Sequence, residues 1–157
     1  MPVLKRLLSV LVTLLIPITA SADEAIFAGG CFWCMEKPFE KVEGVSAVIS
    51  GYSEGKSLKP TYSNYIAGGH LEVVKVIFDP ARISYAQLLD IFWRQINPTD
   101  VGGQFVDRGF ADGTGIFYHN KSQRKAATAS KKSMNQSGLC GASIVTPIKP
   151  ASAFYAA

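Results

Sequence analysis

The chain has 157 residues, 16 lysines and arginines, 12 acidic residues and three cysteines. This length suits one compact domain with a core large enough to fold without disulfide support. Three cysteines are too few, and odd in number, for a disulfide framework, and the small positive charge gives no reason to expect a nucleic-acid-binding protein.

The first 22 residues have the pattern of a secretory signal peptide. Lys5 and Arg6 precede an apolar run over residues 7–18, and Ala20-Ser21-Ala22 is a small-residue cleavage site. The apolar run is too short to span a bilayer comfortably. We therefore predict an exported, periplasmic protein whose mature domain is residues 23–157 and which has no membrane segment after cleavage.

The first half of the mature chain alternates strands and a helix. Residues 25–28 predict a strand, residues 35–42 a short helix and residues 45–51 a second strand. Pro38 would be tolerated in that helix only within its first turn. Residues 53–69 form a long loop, for which function is a better explanation than simple connection.

The second half begins with the clearest strand, residues 71–78, and continues with a helix that starts at Ser84. A second long loop covers residues 99–115. The remaining predicted elements are a strand at 116–118, a basic helix at 121–136 ended by Gly138, and edge strands at 144–145 and 153–154. This order predicts an α+β fold, a two-layer sandwich with helices packed on one mixed sheet.

Cys31 is the strongest candidate for a functional residue. It follows Gly29-Gly30 at the junction between the first strand and the first helix, with Phe32, Trp33 and a second thiol, Cys34, directly after it. The N-terminus of a helix favours a thiolate, so this position predicts a nucleophile rather than a buried core cysteine.

Several ordered motifs are similar to those of the A-type peptide-methionine sulfoxide reductases. The resemblance covers about residues 25–155 and is carried, in chain order, by Gly30-Cys31-Phe32-Trp33, Gly51-Tyr52, Pro60-Thr61-Tyr62, residues 69–74, Asp79-Pro80 and residues 103–109. It implies a two-layer α+β fold with a ferredoxin-like core. It also implies reduction of the S epimer of methionine sulfoxide, free or in oxidised proteins, which repairs oxidative damage.

The resemblance assigns roles to individual residues. Cys31 is the nucleophile and Glu72 the proton donor, a role that requires burial to keep its carboxyl protonated. The sequence pattern alone does not decide whether Glu72 is this buried acid or a solvent-facing strand residue. The substrate-binding residues implied are Phe32, Trp33, Tyr62 and Asp107.

The resolving thiol is open between two cysteines. Cys34, one helical turn after Cys31, is favoured because its local geometry needs no rearrangement, whereas Cys140 lies in a flexible segment that would have to travel. We expect a thioredoxin-like reductant, a monomer, and no metal or organic cofactor. A zinc site is disfavoured because the single Cys-x-x-Cys motif has no second paired motif.

The sequence departs from the family pattern in two places. Asp112 stands where family members carry a second oxygen-binding tyrosine, and the family continues for several tens of residues beyond position 157. Either change is expected to lower activity or stability. The alternative functions are an exported thiol-disulfide oxidoreductase using Cys31 and Cys34, and a catalytically impaired relic of the reductase fold.

Overall fold

A computed structural model describes residues 21–157, so the predicted signal peptide lies almost wholly outside the described residues. Eight strands, three α-helices and one short 3-10 helix follow one another along this part of the chain. In chain order they are β1 (Asp23–Gly29), α1 (Phe32–Glu40), β2 (Val45–Ser53), β3 (Leu71–Phe78), α2 (Tyr85–Trp93), β4 (Gly103–Gln104), β5 (Asp107–Arg108), the 3-10 helix (Phe110–Asp112), β6 (Thr114–Tyr118), α3 (Lys121–Ser137), β7 (Ile148–Pro150) and β8 (Tyr155–Ala156).

Six of these strands form one sheet in the order β7-β6-β1-β3-β2-β8. All neighbours are antiparallel except β6 and β7, which run parallel. β4 and β5 form a separate hairpin. The mixed sheet with helices confirms the predicted α+β fold.

The main core lies between the helices and one face of the sheet. Phe27 on β1 stacks on Phe39 of α1, with ring centroids 5.5 Å apart, and on Phe92 of α2 at 5.0 Å. A smaller cluster on the other face contains Ile26, Val73 and Phe117 and is covered partly by residues 151 and 154. Alternate residues of β1 therefore point into different clusters, as expected for a strand buried on both faces.

Helix α2 begins where the sequence predicts. Ser84 accepts a hydrogen bond from the Gln87 amide, and the Gln87 side chain accepts one from the Ser84 amide, which completes a capping box. Gly138 ends α3 in the left-handed conformation, with φ of 69°. Among residues 21–157, no helix is long and apolar enough to cross a membrane.

Two predictions about local structure are wrong. Pro38 lies near the end of α1, not in its first turn. The helix tolerates it because Phe32, Met35 and Phe39 are buried in the core, and this packing offsets the hydrogen bond that proline cannot make.

The predicted edge strands at 144–145 and 153–154 are displaced to Ile148–Pro150 and Tyr155–Ala156. Ile144 enters the main core from a loop, and the Val145 amide bonds the Pro98 carbonyl instead of a neighbouring strand. Phe154 packs on the second face of the sheet. These apolar side chains fill the two cores, and this role produced a strand-like pattern.

Candidate active site

Cys31 occupies the N-cap position of α1, directly after β1. Gly30 makes the turn with φ of 81°, and a β-carbon there would come 2.7 Å from the Gln104 side chain, so only glycine fits. The Cys31 carbonyl accepts hydrogen bonds from the amides of Cys34 and Met35. The half-buried thiol thus lies at the end of the helix where backbone amides have no partner within the helix.

Glu72 lies on β3 and is 4% exposed. Its Oε2 accepts a hydrogen bond of 2.9 Å from the Phe32 amide, the residue next to Cys31. The structure therefore brings the carboxyl and the nucleophile to the same helix terminus. The solvent-facing interpretation of Glu72 is wrong, because the side chain is on the helix-covered face of β3.

Burial raises the pKa of the Glu72 carboxyl above its usual range. Hydrogen bonds from the Phe32 amide and the Tyr65 hydroxyl oppose this shift, while the nearby charges of Asp112 and Asp107 add to it. A carboxyl in this environment holds its proton at higher pH than a surface glutamate does. That property is the requirement for a proton donor near neutral pH.

Three aromatic side chains form a wall beside the thiol. The rings of Trp33 and Tyr62 are stacked with centroids 5.8 Å apart, and Phe32 lies 5.4 Å from Trp33. Phe32 is buried, whereas Trp33 and Tyr62 are 59% and 61% exposed, so the latter two are not core residues. All three line a groove of about 680 Å³ that continues along β2.

The two candidate resolving thiols lie in different places. Cys34 is exposed and lies one helical turn after Cys31. Partial burial, the Cys31 thiol and the charge of Asp107 raise the pKa of Cys34. Cys140 lies in a separate hollow after α3, with Asn135 and residues 138–143, and packs against the main core.

The loop of residues 99–113 places two acids at the site. Asp107 is exposed on β5, and Asp112 is half-buried in the 3-10 helix, where burial and Asp107 raise its pKa. The charge of Asp107 also acts on Cys34 and Glu72. The hairpin is held by a salt bridge of 2.6 Å between Arg108 and Asp100.

Tyr65 is a site residue that the sequence analysis missed. It is 6% exposed, and burial together with the Glu72 carboxyl, which its hydroxyl faces, raises its pKa. The three-residue spacing between Tyr62 and Tyr65 could have revealed it. The Tyr65 amide donates to the Thr61 carbonyl in a single helical turn, so residues 62 and 65 lie on one side of that turn. A second tyrosine is thus present at the site, although not at the position of Asp112.

The part of the chain that the structure describes contains no group of three or more histidine, cysteine or acidic side chains arranged to hold a metal ion. His70, one of the ligands considered for zinc, is fully buried and bonded to Ser57 and Gly55. It holds the preceding loop instead.

The sequence pattern of the family described as peptide methionine sulfoxide reductase matches residues 23–157. A peptide methionine sulfoxide reductase MsrA of Ligilactobacillus salivarius is 51% identical over 139 residues, which are 87% of this chain and 81% of that protein. The crystal structure of Mxr1 from Saccharomyces cerevisiae in reduced form is 28% identical with a TM-score of 0.78, over 88% of this chain and 81% of that one. Mxr1 in complex with Trx2 has the same fold, with a TM-score of 0.65 and 24% identity over 87% of this chain and 81% of that one.

The family pattern extends over the whole domain, and the identity of the bacterial relative is far above the level at which membership is in question. The chain belongs to the peptide methionine sulfoxide reductase family.

Proposed function

We propose that this protein is a peptide-methionine (S)-S-oxide reductase that acts in the repair of oxidised methionine. The observation that carries the proposal is the hydrogen bond between the Glu72 carboxyl and the Phe32 amide. It places a buried, proton-holding acid beside the thiol of Cys31. Disulfide exchange by a general thiol-disulfide oxidoreductase transfers no oxygen, so it offers no leaving oxygen for this acid to protonate.

The reaction begins with attack of the Cys31 thiolate on the sulfur of the sulfoxide. Glu72 donates a proton to the oxygen, and the resulting hydroxyl group passes from the substrate sulfur to the Cys31 sulfur as the sulfur–oxygen bond and the transient bond between the two sulfur atoms break. Methionine leaves, and Cys31 becomes a sulfenic acid. The sulfur of the substrate is reduced by two electrons and that of Cys31 is oxidised by two. A second proton, taken from solvent, restores Glu72 to its acid form.

The aromatic wall orients the substrate. Phe32 and Trp33 present an apolar surface that fits the substrate methyl group and excludes the polar oxygen from that side. Tyr62 places a hydroxyl at the edge of the same wall, where it can donate to the sulfoxide oxygen. Asp107 is exposed on β5, and its charge acts on Cys34 and Glu72.

Cys34 resolves the sulfenic acid. Its thiol lies one helical turn from that of Cys31, close enough that the Cys31 thiol raises the pKa of Cys34, so a disulfide forms with loss of water and without a long loop movement. Cys140, in its separate hollow, would have to leave the core to compete. A thioredoxin-like protein then reduces the disulfide.

The decisive assay is turnover of the S and R epimers of dabsylated methionine sulfoxide with dithiothreitol. We expect turnover of the S epimer only, complete loss in Cys31→Ser, and a loss of about 10²-fold or more in Glu72→Gln. Glu40→Gln, at an exposed acid that ends α1, is the matched control and should retain activity. No turnover of either epimer by the folded protein would contradict the proposal.

A single-turnover experiment without reductant tests the resolving thiol. Cys34→Ser should stop at a sulfenic acid that dimedone traps on Cys31, whereas Cys140→Ser should still form the disulfide. The reverse result would assign resolution to Cys140.

We also propose export to the periplasm, on the basis of the pattern in residues 1–22 alone. N-terminal sequencing of the exported protein should begin at Asp23. A chain that retains Met1 would contradict cleavage.

A further inference from the structure

Tyr65 is fixed in position by its backbone. Its amide donates to the Thr61 carbonyl at 2.9 Å, and its carbonyl accepts from the His70 amide at 3.0 Å. His70 is itself fully buried. Although Tyr65 lies in a loop, its ring therefore has little freedom to move.

The ring of Tyr65 packs beside Glu72. It stacks on Tyr52, with centroids 4.9 Å apart and planes inclined by 27°, and it lies 6.0 Å from the ring of Tyr62. Tyr52 on β2 is directly opposite Glu72 on β3 in the sheet register. This arrangement turns the Tyr65 hydroxyl toward the carboxyl, and the interaction between the two groups raises the pKa of Tyr65 and opposes the rise in that of Glu72.

Two donors thus face the Glu72 carboxyl: the Phe32 amide, bonded to Oε2 at 2.9 Å, and the Tyr65 hydroxyl. Donors on two sides of a carboxyl restrict its plane, and both stabilise its charged form. The charges that face it, Asp107 and Asp112 from the 99–113 loop, favour the protonated form instead.

We propose that Tyr65 is a positioning residue for Glu72: its hydroxyl fixes the orientation of the carboxyl and governs when the carboxyl releases its proton. This inference rests on the proposed role of Glu72 as proton donor. Tyr65 acts through Glu72 and is too deeply buried to bind the substrate from solvent.

The test is Tyr65→Phe, which removes only the hydroxyl and keeps the stack on Tyr52. Tyr85→Phe is the matched control. Tyr85 lies on α2, its ring stacks on Phe27, and its buried hydroxyl has no hydrogen-bond partner among the described residues. Both variants should keep the thermal unfolding midpoint close to that of the wild type.

In Tyr65→Phe we expect kcat for the S epimer to fall about five- to tenfold, the effect of one lost hydrogen bond in the transition state, with KM changed less than twofold. Loss of a donor to the carboxylate should move the alkaline limb of the kcat profile upward by about half a pH unit or more. Tyr85→Phe should change neither quantity.

A titration of the carboxyl itself separates this inference from the proposed function. Difference infrared spectra, with Glu72→Gln used to assign the band, should show Glu72 deprotonating at higher pH in Tyr65→Phe than in the wild type. An unchanged titration and an unchanged profile would overturn the role of Tyr65. An altered titration in a protein that turns over no sulfoxide would support the positioning role and refute the reductase.

Discussion

Two loops border the thiol of Cys31, and they shift the pKa of the neighbouring Glu72 carboxyl in opposite directions. The tyrosine loop, residues 54–70, brings the neutral hydroxyl groups of Tyr62 and Tyr65 to the site. The acidic loop, residues 99–113, brings the carboxyl groups of Asp107 and Asp112. On Glu72, the Tyr65 hydroxyl lowers the pKa and the two acids raise it.

The two loops are nevertheless anchored by the same device, a buried polar side chain that bonds the backbone. In the tyrosine loop, Nδ1 of His70 accepts from the Gly55 amide and Nε2 donates to the Ser57 carbonyl. In the acidic loop, Gln104 accepts from the Asn97 amide and donates to the Asn97 carbonyl. A loop can therefore be rigid without regular structure when its interior bonds are satisfied.

Removal of an anchoring side chain should have the largest effect and tests whether the two loops are held in the same way. His70→Ala should lower the free energy of unfolding by about 3 kcal/mol, because it leaves a cavity and strands the Gly55 amide without its partner. His119→Ala, at an exposed position, should change it by less than about 0.5 kcal/mol. Chemical denaturation measures both, and equal effects would show that His70 is not an anchor.

Gln104→Leu should have the next largest effect. Leucine fills the space but leaves the amide and carbonyl of Asn97 unpaired, which costs about 2 kcal/mol in unfolding free energy. Since the Gln104 side chain also packs against Gly30, activity should fall too. A stable, fully active variant would mean that the acidic loop is held by other contacts.

A charge change in the acidic loop sharpens the electrostatic contrast. Asp107→Asn removes a negative charge that raises the pKa of Cys34, so more thiolate is present at pH 8 and iodoacetamide should modify Cys34 about threefold faster. The alkaline limb of activity should move down, opposite to Tyr65→Phe, because the Glu72 pKa falls as well. Asp90→Asn on α2 is the control. A downward shift of the alkaline limb in that variant would show that the effect does not depend on the proximity of Asp107 to Glu72.

The smallest effect should come from Arg108→Gln, at the exposed salt bridge with Asp100. Arg108 holds the pKa of Asp100 at about 2, below its usual value near 4. The pair therefore stabilises the fold above pH 4, and this contribution is lost as the pH falls toward 2. The unfolding midpoints of variant and wild type should differ slightly at pH 6, less at high salt, and converge near pH 2.

The sequence predicted the elements whose signals are local. Strand β3 and helix α2 follow from an apolar run and a capping box, and the Gly-Gly turn located Cys31. The resemblance also proposed Glu72, whose burial no local pattern could decide.

The missed residues are polar side chains buried in loops. Tyr65, His70 and Gln104 are typical loop residues by composition, and their burial depends on contacts with distant segments. Ile144 was misread for the converse reason. It packs into the core from a loop, and beside the apolar Val145 it has the sequence pattern of a short strand. Tertiary context decides these cases, and periodicity does not report it.

Pro38 has a consequence for the redox cycle of the two thiols. Without an amide hydrogen, it cannot bond the carbonyl of Cys34, four residues earlier. The first turn of α1, which carries both sulfur atoms, is therefore less tightly linked to the rest of the helix than an unbroken ladder would make it. The first turn can therefore change between the oxidised and reduced forms while Phe39 stays in the core. The redox cycle then requires no change in the packing of the rest of the domain.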